Sequence, residues 1–214
     1  ALGLGAGELG VDVVGLEAEV VDAFAAFGQE LADAALVGER LQELDLPQMV
    51  PQNTARFDTA FCVPIEAKGV TSTGISASDR AITVLTAIDP ATRPADLARP
   101  GHMFPLKARN GGVLVRAGQT EAAVDLARIA GLYPAGVICE IMNEDGTMAR
   151  VPELTTFAKR HKLLMITVSD LIQYRMRTEA LVRRVASAAL PTDHGPFRVF
   201  AYESILDRET HVAM

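Results

Sequence analysis

The feature that most constrains the fold is a helix followed closely by an apolar strand in the second half of the chain. Over residues 120–130 apolar side chains recur at helical spacing, with Thr120 as the expected N-cap, and Gly131 ends the helix. Residues 136–142 are apolar apart from Glu140, which is typical of a strand buried inside a sheet. This unit predicts a domain in which helices pack against a sheet.

The rest of the chain mixes helices and strands, and only part of it alternates cleanly. We therefore predict an α+β fold, a three-layer α/β/α arrangement with a mixed twisted sheet. An Asn-Gly-Gly turn predicts a hairpin between two short strands, 103–109 and 112–116. Other strands are predicted at 10–14, 57–67 and 164–168, and helices at 16–36, 39–50, 78–88, 153–161 and 169–184 capped by Ser169.

Composition excludes several classes of protein. The 214 residues carry a formal net charge of −7, which argues against a general nucleic-acid binder. No apolar run reaches the roughly 18 residues that a membrane span needs, and no signal peptide is evident. The two cysteines, Cys62 and Cys139, lie far apart and outside any CxxC motif. We expect a cytoplasmic protein that acts on small molecules, with neither a nucleic-acid nor a membrane partner.

Two residues suggest acid–base chemistry. Glu140 lies in the middle of the apolar strand, where a carboxylate must be paired or must change its pKa, and such groups often belong to functional sites. The alternative is a structural carboxylate that forms a salt bridge. His102 follows Pro100-Gly101 and precedes a strand, so it is accessible for proton transfer near neutral pH. The alternative is an ordinary surface histidine.

Two polar segments suit an anionic, hydroxylated ligand. Residues 116–120 (RAGQT) lead into a helix N-terminus, where backbone N–H groups, a guanidinium and a hydroxyl favour a phosphate. Residues 71–76, followed by Asp79 and Arg80, add hydroxyls and a charged pair. Both segments could also be ordinary helix caps.

Longer motifs carry a family resemblance. The segments LDLPQMV, TGISASDR, RPGHMFPL, GGVLVRAGQTEAAVDLARIAGL, PAGVICEI and EDGTMAR together resemble the 3,4-dihydroxy-2-butanone 4-phosphate synthase family over roughly residues 35–175. That family converts ribulose 5-phosphate into 3,4-dihydroxy-2-butanone 4-phosphate and formate in the riboflavin pathway. It uses two magnesium ions and acts as a homodimer with sites near the interface.

The resemblance also implies roles for individual residues. His102 and Glu140 correspond to the essential catalytic pair, and Asp79 is expected near the sugar as a third catalytic residue. The residues implied in substrate binding are Thr73, Arg116, Ala117, Gly118, Gln119 and Thr120.

Two departures from the family concern the metal site. The acidic segment that supplies a glutamate ligand after the first strand is missing, because Val13-Val14-Gly15 continues directly into LEAE. Gln119 stands where the family has a histidine ligand, and its amide oxygen is a weaker, neutral donor. Gln119 is therefore a degenerate metal position, and magnesium is expected from the family rather than from this chain.

The residue pattern changes in the last part of the sequence. Residues 190–214 alternate like a β-hairpin and resemble the start of a GTP cyclohydrolase II domain, which follows the synthase in bifunctional riboflavin proteins. The zinc site of that domain uses three cysteines, and none follows Cys139. We predict a synthase-like domain over residues 1–185, and a linker with a truncated cyclohydrolase-like start over residues 186–214.

Three hypotheses remain. The chain is a working or weakened synthase, a re-purposed enzyme acting on a related sugar phosphate, or a non-catalytic homologue that binds a partner or stabilises an assembly.

Overall fold

A computed structural model describes residues 32–214, which form a four-stranded mixed sheet, five α-helices and a separate three-stranded sheet. In chain order the elements are β1 (Ala32–Leu36), α1 (Gly38–Glu43), β2 (Ile65–Ala67), α2 (Ala77–Ile88), β3 (Leu97–Lys107), α3 (Gln119–Ile129), β4 (Ala135–Cys139), α4 (Val151–His161), α5 (Val168–Thr178), β5 (Val182–Thr192), β6 (Gly195–Ser204) and β7 (Thr210–Ala213).

The main sheet has helices on both faces. Its strand order is β2-β3-β1-β4, with β1 parallel to β3 and the other pairs antiparallel. On one face Ala34 and Leu36 pack with residues of α1 and α2, and on the other Ala35 packs with Val124 of α3. Because side chains alternate along a strand, β1 contributes to both cores. The predicted α+β, three-layer fold with a mixed sheet is confirmed.

The predicted helix over residues 16–36 is wrong at its C-terminal end. Residues 32–36 (ADAAL) form β1, the strand in the middle of the sheet next to β3 and β4. Small apolar residues fit the spacing of either structure, so pairing with two neighbouring strands decides the outcome. The predicted strand at 10–14 and the remainder of that helix lie outside the described residues.

The predicted hairpin around Asn-Gly-Gly is also wrong. β3 extends back to Leu97, and Gly112–Leu114 form one turn of 3₁₀ helix instead of a strand. Side chains distant in sequence satisfy this turn: Asp125 accepts the N–H of Val113 at 2.8 Å, and Arg175 donates to the carbonyl of Gly111 at 2.8 Å. These hydrogen bonds satisfy backbone groups that would otherwise pair with a neighbouring strand.

Other boundaries follow local capping. α2, α3 and α4 match the predicted helices at 78–88, 120–130 and 153–161 within two residues. Strand 57–67 shortens to β2, and the helix at 39–50 shortens to α1. The strand predicted at 164–168 is absent, and α5 begins at Val168 because Thr167, not Ser169, accepts the N–H of Asp170 at 3.1 Å. α5 ends at Thr178, earlier than residue 184.

The C-terminal segment forms its own antiparallel sheet. β6 pairs with β5 and with β7, which confirms the alternation over residues 190–214, although the first strand begins at Val182. The boundary expected at 185/186 falls within β5, and the assignment of this segment to a second domain stays a prediction. In the part of the chain that the structure describes, no helix is long and apolar enough to cross a membrane.

Candidate active site

Three polar side chains lie toward one end of the main sheet, on or next to neighbouring strands. Asp33 in β1 pairs with Phe104 of β3 and with Ile138 of β4. His102 comes two residues before Phe104 in β3, and Glu140 comes two residues after Ile138, just past the end of β4, so both lie toward the end of the sheet where β1 begins. Alternation places Asp33 and His102 on the same face, and Glu140 lines the same cleft as Asp33. Two strand spacings separate the backbones of His102 and Glu140 by roughly 10 Å.

Glu140 is not the buried strand residue that the sequence predicted. β4 ends at Cys139, and the Glu140 side chain is exposed immediately after it. The apolar run continues through residues 141 and 142, but these residues have left the strand. The carboxylate is therefore available to a ligand without the cost of full burial.

A cleft of about 980 Å³ opens beside this face, large enough for a small metabolite. It is lined by residues 116–120, by Asp33 and Glu140, and by the aromatic rings of Phe57 and Phe61. The structure thus places the predicted phosphate-binding segment and Glu140 in one cavity.

The N-terminus of α3 forms one wall of the cleft. The helix begins at Gln119 with Gly118 as its N-cap, so the prediction of Thr120 as the cap is wrong, and Thr120 is buried in the first turn. The first N–H groups of the helix have no acceptor within it, and together with the helix dipole they favour an anion. The Gln119 side chain donates through Nε2 to Oε1 of Glu140 at 2.6 Å, which ties the helix to the end of β4.

Arg116 is held in the cleft by a buried carboxylate. Its Nη1 donates to Oε2 of Glu121 at 2.6 Å, and its Nη2 donates to the carbonyl of Phe57 at 3.0 Å. Glu121 is 1% exposed and also accepts the backbone N–H of Arg109 at 3.0 Å. A Cβ at Gly118 would lie 2.3 Å from Nη1 of Arg116, so a side chain there would displace the guanidinium from this ion pair.

His102 belongs to a second polar cluster, next to β2. Its Nδ1 lies 2.8 Å from Oε2 of Glu66, which also accepts a hydrogen bond from the Thr71 hydroxyl at 2.8 Å. The bonds from Thr71 and from His102 both lower the pKa of Glu66. Glu66 therefore stays ionised and orients the imidazole. Gly74, with φ of +79°, lies so close that a Cβ there would collide with the carboxylate of Glu66.

Asp79 organises the loop that precedes α2. Its carboxylate accepts hydrogen bonds from the N–H of Ser72 at 3.1 Å, the hydroxyl of Ser72 at 2.8 Å and the N–H of Gly74 at 3.0 Å. The bonds from Ser72 lower the pKa of Asp79 to about 2. The Asp79 carboxylate thus forms its hydrogen bonds with residues of this loop, and Thr73 is exposed on the same loop. Neither Asp79 nor Thr73 lines the cleft, and their predicted roles stay predictions.

Sequence reasoning missed two residues of this region, Asp33 and Glu66. Burial raises the pKa of Asp33 to about 6, and the negative charge of nearby Glu140 adds to the shift. An acidic residue among the small apolar residues of ADAAL was a usable signal once that segment was recognised as a strand. Glu66 gave no local signal, because only the pairing of β2 with β3 brings it to His102.

The described residues do not form a metal-binding site of three or more histidine, cysteine or carboxylate side chains. Near Gln119 the hard donors are the carboxylates of Asp33 and Glu140 and one amide oxygen. Residues 32–214 therefore do not by themselves provide a magnesium site.

Comparisons with known proteins agree on one family. Residues 7–174 match the profile of 3,4-dihydroxy-2-butanone 4-phosphate synthase. The chain is 58% identical over 198 residues to the riboflavin biosynthesis protein RibBA of Aquifex aeolicus, covering 92% of this chain and 49% of that protein. Curated relatives of this kind are much longer, and the chain spans a third to about half of their length.

Solved structures show the same fold. RibBX of A. baumannii, a two-domain 3,4-dihydroxy-2-butanone 4-phosphate synthase, superposes with a TM-score of 0.78 at 45% identity, covering 91% of this chain and 57% of that one. A synthase in complex with two magnesium ions superposes with a TM-score of 0.69 at 39% identity, covering 75% of this chain and 80% of the other.

Proposed function

Because the chain belongs to the 3,4-dihydroxy-2-butanone 4-phosphate synthase family, we propose that it converts ribulose 5-phosphate into 3,4-dihydroxy-2-butanone 4-phosphate and formate. The observation that carries the proposal is that Glu140 lines one cleft with the N-terminus of α3 and Arg116. His102 lies outside that lining, toward the same end of the sheet and two strands away. The two products contain all the atoms of the substrate, so the reaction needs neither an oxidant nor added water.

The phosphate of the substrate would bind at the wall formed by α3. Arg116 supplies a guanidinium whose orientation is set by Glu121, and the first N–H groups of the helix supply neutral donors. Since Glu121 neutralises part of the charge of Arg116, we propose that the helix N-terminus contributes a large share of the attraction.

The proton transfers would fall to His102 and Glu140. Enolisation removes a proton from a carbon next to the ketone, so it requires a base at that carbon and a proton donor at the carbonyl oxygen. The imidazole of His102, oriented by Glu66, and the exposed carboxylate of Glu140 flank the centre of the face at a separation that spans a five-carbon substrate. Asp79 would act indirectly, by holding the loop over residues 71–76.

Magnesium stays a proposed cofactor. A related synthase binds two magnesium ions, and in general a bound dication stabilises negative charge on substrate oxygens. The described residues offer no three-donor metal group, so we expect a weak requirement. Formate formation should be compared in excess chelator and in excess magnesium.

We also propose that the protein is a homodimer, as the family resemblance implies. Support comes from apolar side chains beside the cleft, since Phe57 is 69% exposed, Val50 45% and Met49 42%. Light scattering after size exclusion should give twice the chain mass, and Phe57→Ser should shift the protein toward monomer. A wild-type monomer at all concentrations would contradict this proposal.

The decisive experiment measures formate from ribulose 5-phosphate with magnesium present. We expect formate from the wild type, and about a 100-fold or greater loss in His102→Ala and Glu140→Gln. Two exposed residues outside the site provide matched controls, His194→Ala and Glu144→Gln, which should keep full activity. Absence of formate from folded wild-type protein would contradict the proposal.

One observation favours a second candidate. Since the described residues lack a three-donor metal group, a re-purposed enzyme acting on a related sugar phosphate without metal is the alternative. No formate, but thermal stabilisation by a pentose phosphate, would support it. Neither response in a stable dimer would indicate a non-catalytic homologue.

A further inference from the structure

Asp33 occupies an unusual place in β1. The other four residues of the strand are fully buried, whereas the Asp33 side chain is half-buried and lines the cleft. β1 lies between β3, which carries His102, and β4, which Glu140 follows. Asp33 pairs with the residues two positions away from His102 and from Glu140. Diagonal neighbours of this kind have Cα atoms about 7–8 Å apart in an antiparallel pair.

The carboxylate of Asp33 has no hydrogen-bond donor in the part of the chain that the structure describes. Within residues 32–214, no side chain or backbone N–H forms a hydrogen bond or ion pair with it, and the charge that acts on it is that of another carboxylate, Glu140. A half-buried carboxylate without donors destabilises the folded state. Such a feature is understandable if the missing donors belong to a ligand.

The chemistry of the cleft limits what that ligand is. Phosphate would be repelled by Asp33 and Glu140, and it has a favourable place at Arg116 and the start of α3. The part of the ligand that reaches Asp33 must therefore carry hydrogen-bond donors. The hydroxyl groups of a phosphorylated polyol meet this requirement.

We propose that Asp33 is a specificity-determining residue that accepts a hydrogen bond from a hydroxyl group of the sugar phosphate. The inference rests on the proposed function for the class of ligand, but not on turnover. Asp33 would orient the carbon chain between His102 and Glu140 while the phosphate stays at α3.

The test compares two unreactive ligands, ribitol 5-phosphate and inorganic phosphate, by calorimetric titration. Asp33→Ala should weaken binding of ribitol 5-phosphate about 10-fold or more and leave that of inorganic phosphate unchanged, because only the polyol has hydroxyls. Asp33→Asn, which keeps the shape, should show a smaller loss. Asp193→Ala, an exposed position in the tail, is the matched control and should bind both ligands like the wild type.

Thermal unfolding separates this role from a structural one. Removing a carboxylate without donors should keep or raise the melting temperature of Asp33→Ala. Equal weakening of both ligands with a lower melting temperature would overturn the proposal, as would unchanged affinity for both.

Two further outcomes are decisive. If ribitol 5-phosphate binds only with magnesium, and only when Asp33 is present, Asp33 is a cation ligand and the hydroxyl assignment is wrong. If the wild type does not bind ribitol 5-phosphate, the inference fails even when formate is produced. Absence of formate with intact, Asp33-dependent binding would instead overturn the proposed function alone.

Discussion

The ion pair between Arg116 and Glu121 allows a quantitative test of how the cleft is held together. Glu121 is 1% exposed and the Arg116 side chain 25% exposed, and their charged groups are 2.6 Å apart. Charge-assisted hydrogen bonds contribute about 1.5–3 kcal/mol. Since solvent reaches part of Arg116, we take the lower part of that range, about 2 kcal/mol.

The perturbation is a double-mutant cycle of Glu121→Gln and Arg116→Met. Glu121→Gln keeps an oxygen for the N–H of Arg109 but replaces the charged oxygen that accepts from Arg116 with an NH2 donor, so it should lower the free energy of unfolding by about 2 kcal/mol. Arg116→Met leaves a buried, uncompensated carboxylate and should cost about 3 kcal/mol. The double variant has no unpaired charge, so it should lose less than the sum, with a coupling of about 2 kcal/mol.

Urea denaturation measures all four free energies of unfolding. In thermal scans, Glu121→Gln should melt about 4–8 °C below the wild type for a domain of this size. If the two single changes add within about 0.5 kcal/mol, the pair does not stabilise the cleft and the argument is refuted.

Three further predictions concern polar side chains elsewhere in the domain and at position 119. Asp125→Asn should lower the free energy of unfolding in urea by about 3 kcal/mol, because Arg175 is buried against that carboxylate; an unchanged midpoint would contradict this. The pKa of Asp79 is lowered to about 2, so its stabilising effect is complete above the unfolded pKa of about 4 and disappears as the pH falls through 2. The stability difference between wild type and Asp79→Asn should therefore shrink over that interval, and a constant difference would disprove its electrostatic origin. Gln119→His should tighten binding of Zn²⁺ in calorimetric titrations because imidazole suits this ion better than an amide oxygen does, and unchanged affinity would show that position 119 does not face a cation site.

Helices with local signals could be predicted from sequence. α2, α3 and α4 combine helical periodicity with caps or helix-ending residues close in the chain, such as Ser76 before α2 and Gly131 after α3. β1 could not be predicted, because this five-residue segment, three of whose residues are alanine, acquires strand geometry only by pairing with β3 and β4. The 3₁₀ turn at Gly112–Leu114 depends on Arg175, 64 residues away from Gly111.

In the candidate site, too, residues with local sequence motifs could be predicted, and residues that depend on strand pairing could not. Motifs identified His102, Glu140 and residues 116–120, and the fold brings His102 and Glu140 toward the same end of the main sheet. The burial expected for Glu140 was wrong because the strand ends one residue earlier. Asp33 was missed because its role depends on the register of three strands.

The most direct test of the account is a crystal structure of the protein with ribulose 5-phosphate or ribitol 5-phosphate bound. We predict the phosphate at the first turn of α3 beside Arg116, and the carbon chain over Asp33 between His102 and Glu140. A sugar phosphate bound elsewhere, or one with its phosphate at the end of β4 against Glu140, would contradict the account.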